Sequence, residues 1–268
     1  MGIAAFDYLR PDDLAAARAA YDGSDEARYL AGGQTLLPVM KQRLAQPALL
    51  IDLAGVGALA GITTSAEAVT IGAMTRHADV AASDDVRARI PALAHLAGLI
   101  GDPQVRNRGT IGGSLANNDP SADYPAAVLG LGATVVTDRR EIAADDYFQG
   151  LFTTALEEGE IIRAVMFPVP WRAAYVKFPH PASRFALAGV MVSEGVGGVR
   201  VAATGAGAGG VFRVTEMEAA LAQDFAVASL DGITLPADDM IVDMHASGAY
   251  RAQLVTVLAR RAVASMVA

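Results

Sequence analysis

Within residues 1–57, three short apolar runs (IAAFDYL, ARYLAG and ALLIDLA) are separated by two amphipathic stretches, DDLAAARAAY and TLLPVMKQRLA. This alternation constrains the fold more than any other feature of the chain. Strands that alternate with helices lie parallel, because each helix is the crossover returning the chain to the same sheet. Pro11 and Asp12 start the first helix, with an acid at its positive end. A small parallel sheet is therefore expected over 1–57. Over 58–168 the pattern changes. GITTSAEAVTIGA reads as two short strands about a turn, RHADVAAS, VRARIPALAHLAGLI and ADYPAAVLGLG as helices, and ATVVTD as a strand. EIIRAVMFPVP reads as a strand ended by two prolines. Over 169–268, strands at AAYVKF, FALAGVMVSE and VRVAATGA precede helices at VTEMEAALA and AYRAQLVTVLARRAVASMV. The expected class is α+β, with a small antiparallel sheet and helices in the C-terminal domain.

Composition removes several function classes. The chain has 268 residues, long for one domain and ample for two. Its net charge is −8, with no basic run, which argues against nucleic-acid binding. It has no cysteine, so it forms no disulfide, no thiolate zinc site and no iron–sulfur cluster by itself. No apolar run reaches the ~20 residues of a membrane span. MGIAAFDYLRPDD is not a signal peptide, and Phe6 stands where an N-myristoylation motif requires Ser or Thr. A soluble, cytoplasmic protein is expected. His77, His95, His180 and His245 show no metal-ligand spacing and read as surface or capping residues. Only two lysines occur, Lys41 and Lys177, against nineteen arginines.

Three glycine clusters carry the candidate chemistry. AGGQTL (31–36) joins a strand to a helix. Gly32 and Gly33 admit close backbone approach, and Gln34, Thr35 and Leu36 present free N–H groups, an arrangement suited to phosphate. Its bland alternative is an ordinary strand-to-helix turn. TIGGSLANNDPSADYP (110–125) combines low bulk at Gly112 and Gly113 with the hydroxyls of Thr110 and Ser114 and the amides of Asn117 and Asn118. Asp119 and Asp123 suit a sugar or ribityl hydroxyl better than a phosphate. Read alone, this stretch is equally well a polar turn with an Asx turn before the 122–131 helix. TGAGAGG (204–210) matches G-x-G-x-x-G literally. However, VFRV follows it where a dinucleotide fold needs a helix, and too few residues remain for that fold. It reads as a β-to-α connection. Loops 31–36 and 110–114, placed in adjacent domains, are the pair able to close on one diphosphate.

AGGQTLLPVMKQRL, IGDPQVRNRGTIGGSLANNDPSADYPA, EIIRAVMFPVP and YVKFPHPASRFALAGV together resemble the FAD-binding medium subunit of molybdenum hydroxylases, in particular its carbon monoxide dehydrogenase-type branch. That family includes the flavin domains of xanthine dehydrogenases and aldehyde oxidases. The resemblance implies a PCMH-type FAD-binding domain of two subdomains, 1–57 and 58–168, followed by a C-terminal α+β domain, 169–268. It implies FAD contacts from Leu30, Ala31, Gly32, Gly33, Gln34, Thr35 and Leu36 on one side of the pyrophosphate. On the other side it implies contacts from Thr110, Ile111, Gly112, Gly113, Ser114 and Asn117. Asp123 matches an FAD-contacting aspartate. Ile100 and Ile162 match apolar positions beside the cofactor, and Lys177 matches a lysine near the flavin ring. Without the resemblance, Lys177 is equally a solvated charge at a strand edge. Gln34 departs from the His or Asn of many relatives, and Phe185 stands where some carry tyrosine.

The resemblance further implies an electron-transfer subunit with no catalytic residue and no metal of its own. Its partners would be a large subunit bearing the molybdenum cofactor and a small subunit bearing two [2Fe–2S] clusters, assembled as a dimer of heterotrimers. The lack of cysteine agrees, since the clusters must lie on another chain. The competing readings are a self-contained flavin-dependent oxidase or reductase, a relative that has lost FAD, and nicotinamide binding through 204–210.

Overall fold

The computed structural model describes residues 3–267. Met1 and Gly2, the positions an N-myristoylation motif needs, and Ala268 lie outside them. The N-terminal alternation forms the parallel sheet it predicts. Strands β1 (Asp7–Leu9), β2 (Ala27–Leu30) and β3 (Leu49–Asp52) lie parallel in the order β1-β3-β2. Helices α1 (Leu14–Asp22) and α2 (Leu36–Lys41) are the crossovers. The Asp13 carboxylate caps α1 by accepting the Ala16 N–H. Central β3 buries Leu50 and Ile51, which is why its sequence is continuously apolar.

The second sheet is antiparallel, in the order β4-β5-β10-β6-β7. Strands β4 (Ile62–Thr64) and β5 (Ala68–Gly72) form the expected pair. A helical stretch then runs through α3 (His77–Ala82), α4 (Asp84–Arg89), α5 (Pro91–Gly98), α6 (Pro103–Arg106), α7 (Ile111–Asn117) and α8 (Tyr124–Gly130). The breaks have local causes: Ser83 caps α4 by accepting the Val86 N–H, and Pro91 opens α5. After β6 (Thr134–Thr137), β7 (Glu141–Ala143), α9 (Ala144–Tyr147) and the small hairpin β8 (Phe148–Gly150) and β9 (Thr153–Thr154), strand β10 (Ile162–Pro168) returns between β5 and β6. There it buries Val165 and Phe167 completely.

The sequence reading is corrected at α7. Residues 110–114, read as a glycine loop, instead cap and open a helix that runs from Ile111 to Asn117. Thr110 caps the helix by accepting the Gly113 N–H, and Gly112 packs where a Cβ would stand 2.6 Å from that of Ala73. Two glycines lower helix propensity, but the cap and this contact outweigh it.

The third sheet, order β11-β12-β13-β14, is antiparallel: β11 (Arg172–Pro179), β12 (Ala186–Gly195), β13 (Gly198–Thr204) and β14 (Phe212–Arg213). Helix α10 (Thr215–Gln223) packs on β13, α11 (Gly248–Val267) on β11 and β12, and α8 on β12 and β13. Covered on both faces, β12 is buried from Ala186 to Ser193, which explains its unbroken apolar run. Residues 204–210 are a structural turn. Gly205 takes φ +78°, its carbonyl accepts from buried Arg251, and strand β14 follows instead of the helix a dinucleotide fingerprint requires.

His77, the first residue of α3, is 5% exposed and not a surface residue; its ring lies 5.3 Å from that of Tyr124. Burial, followed by the charge of Arg106, holds its imidazole down at about 4. The unfolded chain therefore binds this proton more readily than the folded one. The stability due to neutral His77 is complete above pH ~6.5 and is lost as pH falls toward 4, amounting to about 3 kcal/mol. Calorimetry of the chain should show its melting temperature dropping from pH 7 to pH 5. His77→Gln should flatten that drop, and an unchanged slope would refute the assignment.

Candidate cofactor site

A cleft of about 610 Å³ runs between the first two sheets and reaches the third. One end is the turn after β2. There Gly32 lies against the backbone of Arg108 and Gly109, so close that a Cβ would stand 2.2 Å from the Arg108 carbonyl oxygen. A Cβ on Gly113 would stand 3.2 Å from that of Ala31. The glycines thus serve first to bring the two segments into contact. Gly33 takes φ +73°, turning the chain into α2.

The two segments differ in what they have left to offer. Among the described residues, the amides of Gly32, Gly33, Gln34 and Thr35 meet no protein acceptor. The amides of residues 111–114 are all engaged. Ile111 donates to the Thr75 carbonyl, Gly112 to Ala73, Gly113 to the Thr110 hydroxyl and Ser114 to the Thr110 carbonyl. A ligand would therefore meet free amides from the first segment. From the second it would meet side chains, those of Ser114 and Asn117, neither of which bonds within the protein among the described residues.

Fourteen of the residues singled out from sequence line this cleft: Ala31 to Leu36, Ile100, Thr110, Gly112 to Ser114, Asn117, Asp123 and Ile162. Three do not. Leu30 ends β2 and packs toward Gly33, Ile111 is wholly buried, and Lys177 lies behind Asp123.

Asp123 sits at the N-terminal end of α8 but does not cap it. Its carboxylate turns to β11, where Oδ1 accepts from the Tyr175 hydroxyl at 2.5 Å and Oδ2 from Lys177 Nζ at 2.8 Å. Lys177 Nζ also donates to the Leu99 carbonyl at 3.2 Å. Burial pushes the Asp123 carboxyl above its usual range, opposed by the Lys177 charge and by the hydrogen bonds from Lys177 and Tyr175. The Lys177 side chain is only 3% exposed, which overturns the reading of a solvated charge although β11 is an edge strand. Paired with Asp123 it presents no bare cation, so its field in the cleft is that of a dipole.

Asn118 and Asp119 also find roles. Asn118, in the left-handed conformation (φ +44°), ends α7 and donates through Nδ2 to the Gly150 and Thr153 carbonyls at 2.8 Å each, holding the β8–β9 hairpin. The Asp119 carboxylate accepts the Ser121 N–H, forming the Asx turn. Phe185 lines the cleft and is half exposed.

Sequence reasoning missed other wall residues. Glu160 is one: burial favours its neutral form, but hydrogen bonds from Arg140, the Glu157 amide and Thr137 outweigh it and hold its carboxyl at about 2. Arg28, His77 and Arg184 are others. No motif marks them, since each arrives by folding. The loop carrying Arg184 meets the C-terminal segment at His180 and His245, whose Nε2 and Nδ1 lie 3.2 Å apart. Among the described residues no group of three or more His, Cys, Asp and Glu is placed to hold a metal. Nor is any helix long and apolar enough to cross a membrane.

Free amides at one end, unpaired polar side chains along the floor and apolar walls at Ile100 and Ile162 fit a dinucleotide-like ligand with a diphosphate at the 32–35 turn. Comparison with known proteins agrees in the class of ligand, a flavin dinucleotide. Residues 4–170 match the family described as FAD binding domain in molybdopterin dehydrogenase. The chain is 39% identical to the carbon monoxide dehydrogenase medium chain of Afipia carboxidovorans, over 96% of this chain and 95% of that one. It is 34% identical to the glyceraldehyde dehydrogenase medium chain of Sulfolobus acidocaldarius, over 96% of each. Among solved structures, carbon monoxide dehydrogenase from Hydrogenophaga pseudoflava superposes with a TM-score of 0.88 at 34% identity, covering 99% of this chain and 98% of that one. The chain belongs to the family of FAD-binding medium chains of molybdopterin dehydrogenases.

Proposed function

We propose that this chain is the electron-transfer flavoprotein subunit of a molybdenum-containing hydroxylase. It holds FAD between a partner subunit's [2Fe–2S] clusters, the source of electrons, and an external acceptor. The observation that carries this reading is the cleft that gathers fourteen of the seventeen sequence-predicted residues, in a chain with no cysteine to hold a cluster. When bound, FAD accepts electrons one at a time and releases them in pairs, which suits it to such a relay. The chain's own residues bind and orient it. The amides of Gly32 to Thr35 are placed to hold the pyrophosphate, with Ser114 and Asn117 completing the contact. Ile100 and Ile162 exclude water along the apolar walls, and Phe185 flanks the open side. Asp123, held by its two donors, is placed to accept from a hydroxyl of the cofactor. No proton transfer is required of this chain.

The partners in this proposal are a molybdenum-binding large subunit and an iron–sulfur small subunit, assembled as a dimer of heterotrimers. The relatives named above act on chemically unlike substrates, carbon monoxide and glyceraldehyde by their names, while sharing this fold. That agrees with substrate choice residing on the large subunit. The division at 57 and 168 belongs to the same proposal, with each of the first two units supplying one side of the cleft.

Titration of the purified chain with FAD should yield a 1:1 yellow complex; a chain that stays colourless would sink the reading. Gly32→Ala forces the two segments apart and should weaken FAD binding by about tenfold or more, since overpacking of this kind costs ~1–3 kcal/mol. Co-expression with the large and small subunits should give a complex containing molybdenum, iron and FAD. Turnover of a reducing substrate by the chain alone would instead support a self-contained enzyme.

A further inference from the structure

Tyr175 belongs to no glycine motif and does not line the cleft, yet it is wholly buried with its hydroxyl 2.5 Å from Asp123 Oδ1. Lys177, two residues along β11 and so on the same face, takes the other oxygen. Space for the Tyr175 hydroxyl is made on the neighbouring strand, where a Cβ on Gly189 would stand 2.2 Å from it. The two donors approach the carboxylate from the β11 side, while Asp123 forms part of the cleft wall. A carboxylate held at both oxygens cannot rotate, and each oxygen keeps a lone pair for a ligand.

We propose that Tyr175 is a positioning residue of the cofactor site, acting through Asp123: its hydroxyl fixes the orientation of the carboxylate toward FAD and against Lys177. This rests on the FAD-binding function proposed above. Without the Tyr175 hydroxyl, Asp123 keeps one donor, turns more freely and takes up a proton more readily. Protonated, it would no longer balance Lys177. The other titratable groups packed near it are Tyr124, beside it on α8, and His77, whose ring lies against that of Tyr124 and which feels the charge of Arg106. Burial holds His77 neutral above about pH 4 and raises the Tyr124 hydroxyl, so neither changes charge between pH 6 and pH 8.

The test measures FAD affinity and the midpoint potential of bound FAD for the full chain from pH 6 to pH 8. The wild-type affinity should be nearly flat across this range. Tyr175→Phe should bind FAD about tenfold more weakly at pH 8, the effect of losing a hydrogen bond to a charged group. Its affinity should fall further, and its potential rise relative to wild type, as pH drops to 6, because protonation of Asp123 uncovers Lys177. Adding Asp123→Asn should abolish that pH slope. Gly189→Ala keeps the tyrosine but displaces its hydroxyl, and should reproduce the slope; it carries the test if Tyr175→Phe does not fold. Wild-type binding with affinities and potentials unchanged in Tyr175→Phe, or in Gly189→Ala, would overturn the role of Tyr175 alone. A wild-type chain that bound no FAD would overturn the functional reading, and this inference with it.

Discussion

Everything at the candidate site depends on one backbone contact, that of Gly32 with Arg108 and Gly109. It joins the end of a parallel βαβ crossover to the segment leading into α7, two pieces of chain about 75 residues apart. Neither piece forms a cleft alone. Any side chain at Gly32 would have to displace main chain, which cannot swing aside as a flexible side chain can. Sheet order, the return of β10 and the packing of α8 under β12 serve to hold those two segments at that distance.

The polar interior is organised by the same economy of charge. Glu160, Asp123 and His77 are all removed from water beside the cleft, and each is treated differently. Glu160 is ionised by a full set of donors, and Asp123 is matched to a single cation and a hydroxyl. His77 is kept neutral by burial. These three leave little uncompensated charge, while Arg28, Arg184 and Asp119 also line the cleft and form no salt bridge among the described residues, a balance toward positive charge that suits a ligand bringing the negative charge of a diphosphate.

Much of this was legible in the sequence. Period and punctuation gave the parallel sheet over 7–52, because strand, helix and strand differ in repeat. The glycine segments were visible as departures from an alanine- and valine-rich background. What stayed hidden has physical causes. Ile111 to Asn117 has poor helix propensity, and only the Thr110 cap and the contact with Ala73 reveal why it is helical. The burial of Lys177 depends on Asp123 and Leu99, which are distant in sequence, so its strand-edge position pointed the wrong way. His77 looked like any surface histidine because nothing local records that α8 will lie over it. The literal G-x-G-x-x-G at 205–210 was legible as a decoy, because VFRV follows it, and strand β14 stands where a fingerprint needs a helix.

The unequal state of the two glycine segments has a consequence for how the site is filled. Residues 111–114 spend every amide on their own neighbours, so their shape is dictated by the protein whether or not a ligand is bound. The turn at 32–35 is also held by the protein, through the packing of Gly32 against Arg108 and through the Gly33 and Thr35 carbonyls, which accept from the Leu37 and Val39 amides, but its own four amides meet no acceptor among the described residues. One side of the cleft acts as a template and the other as a clasp. With both sides already built by the protein, little ordering entropy is left to spend on capture, and it is the four free amides, more than the conspicuous TIGGS helix, that are open to a diphosphate.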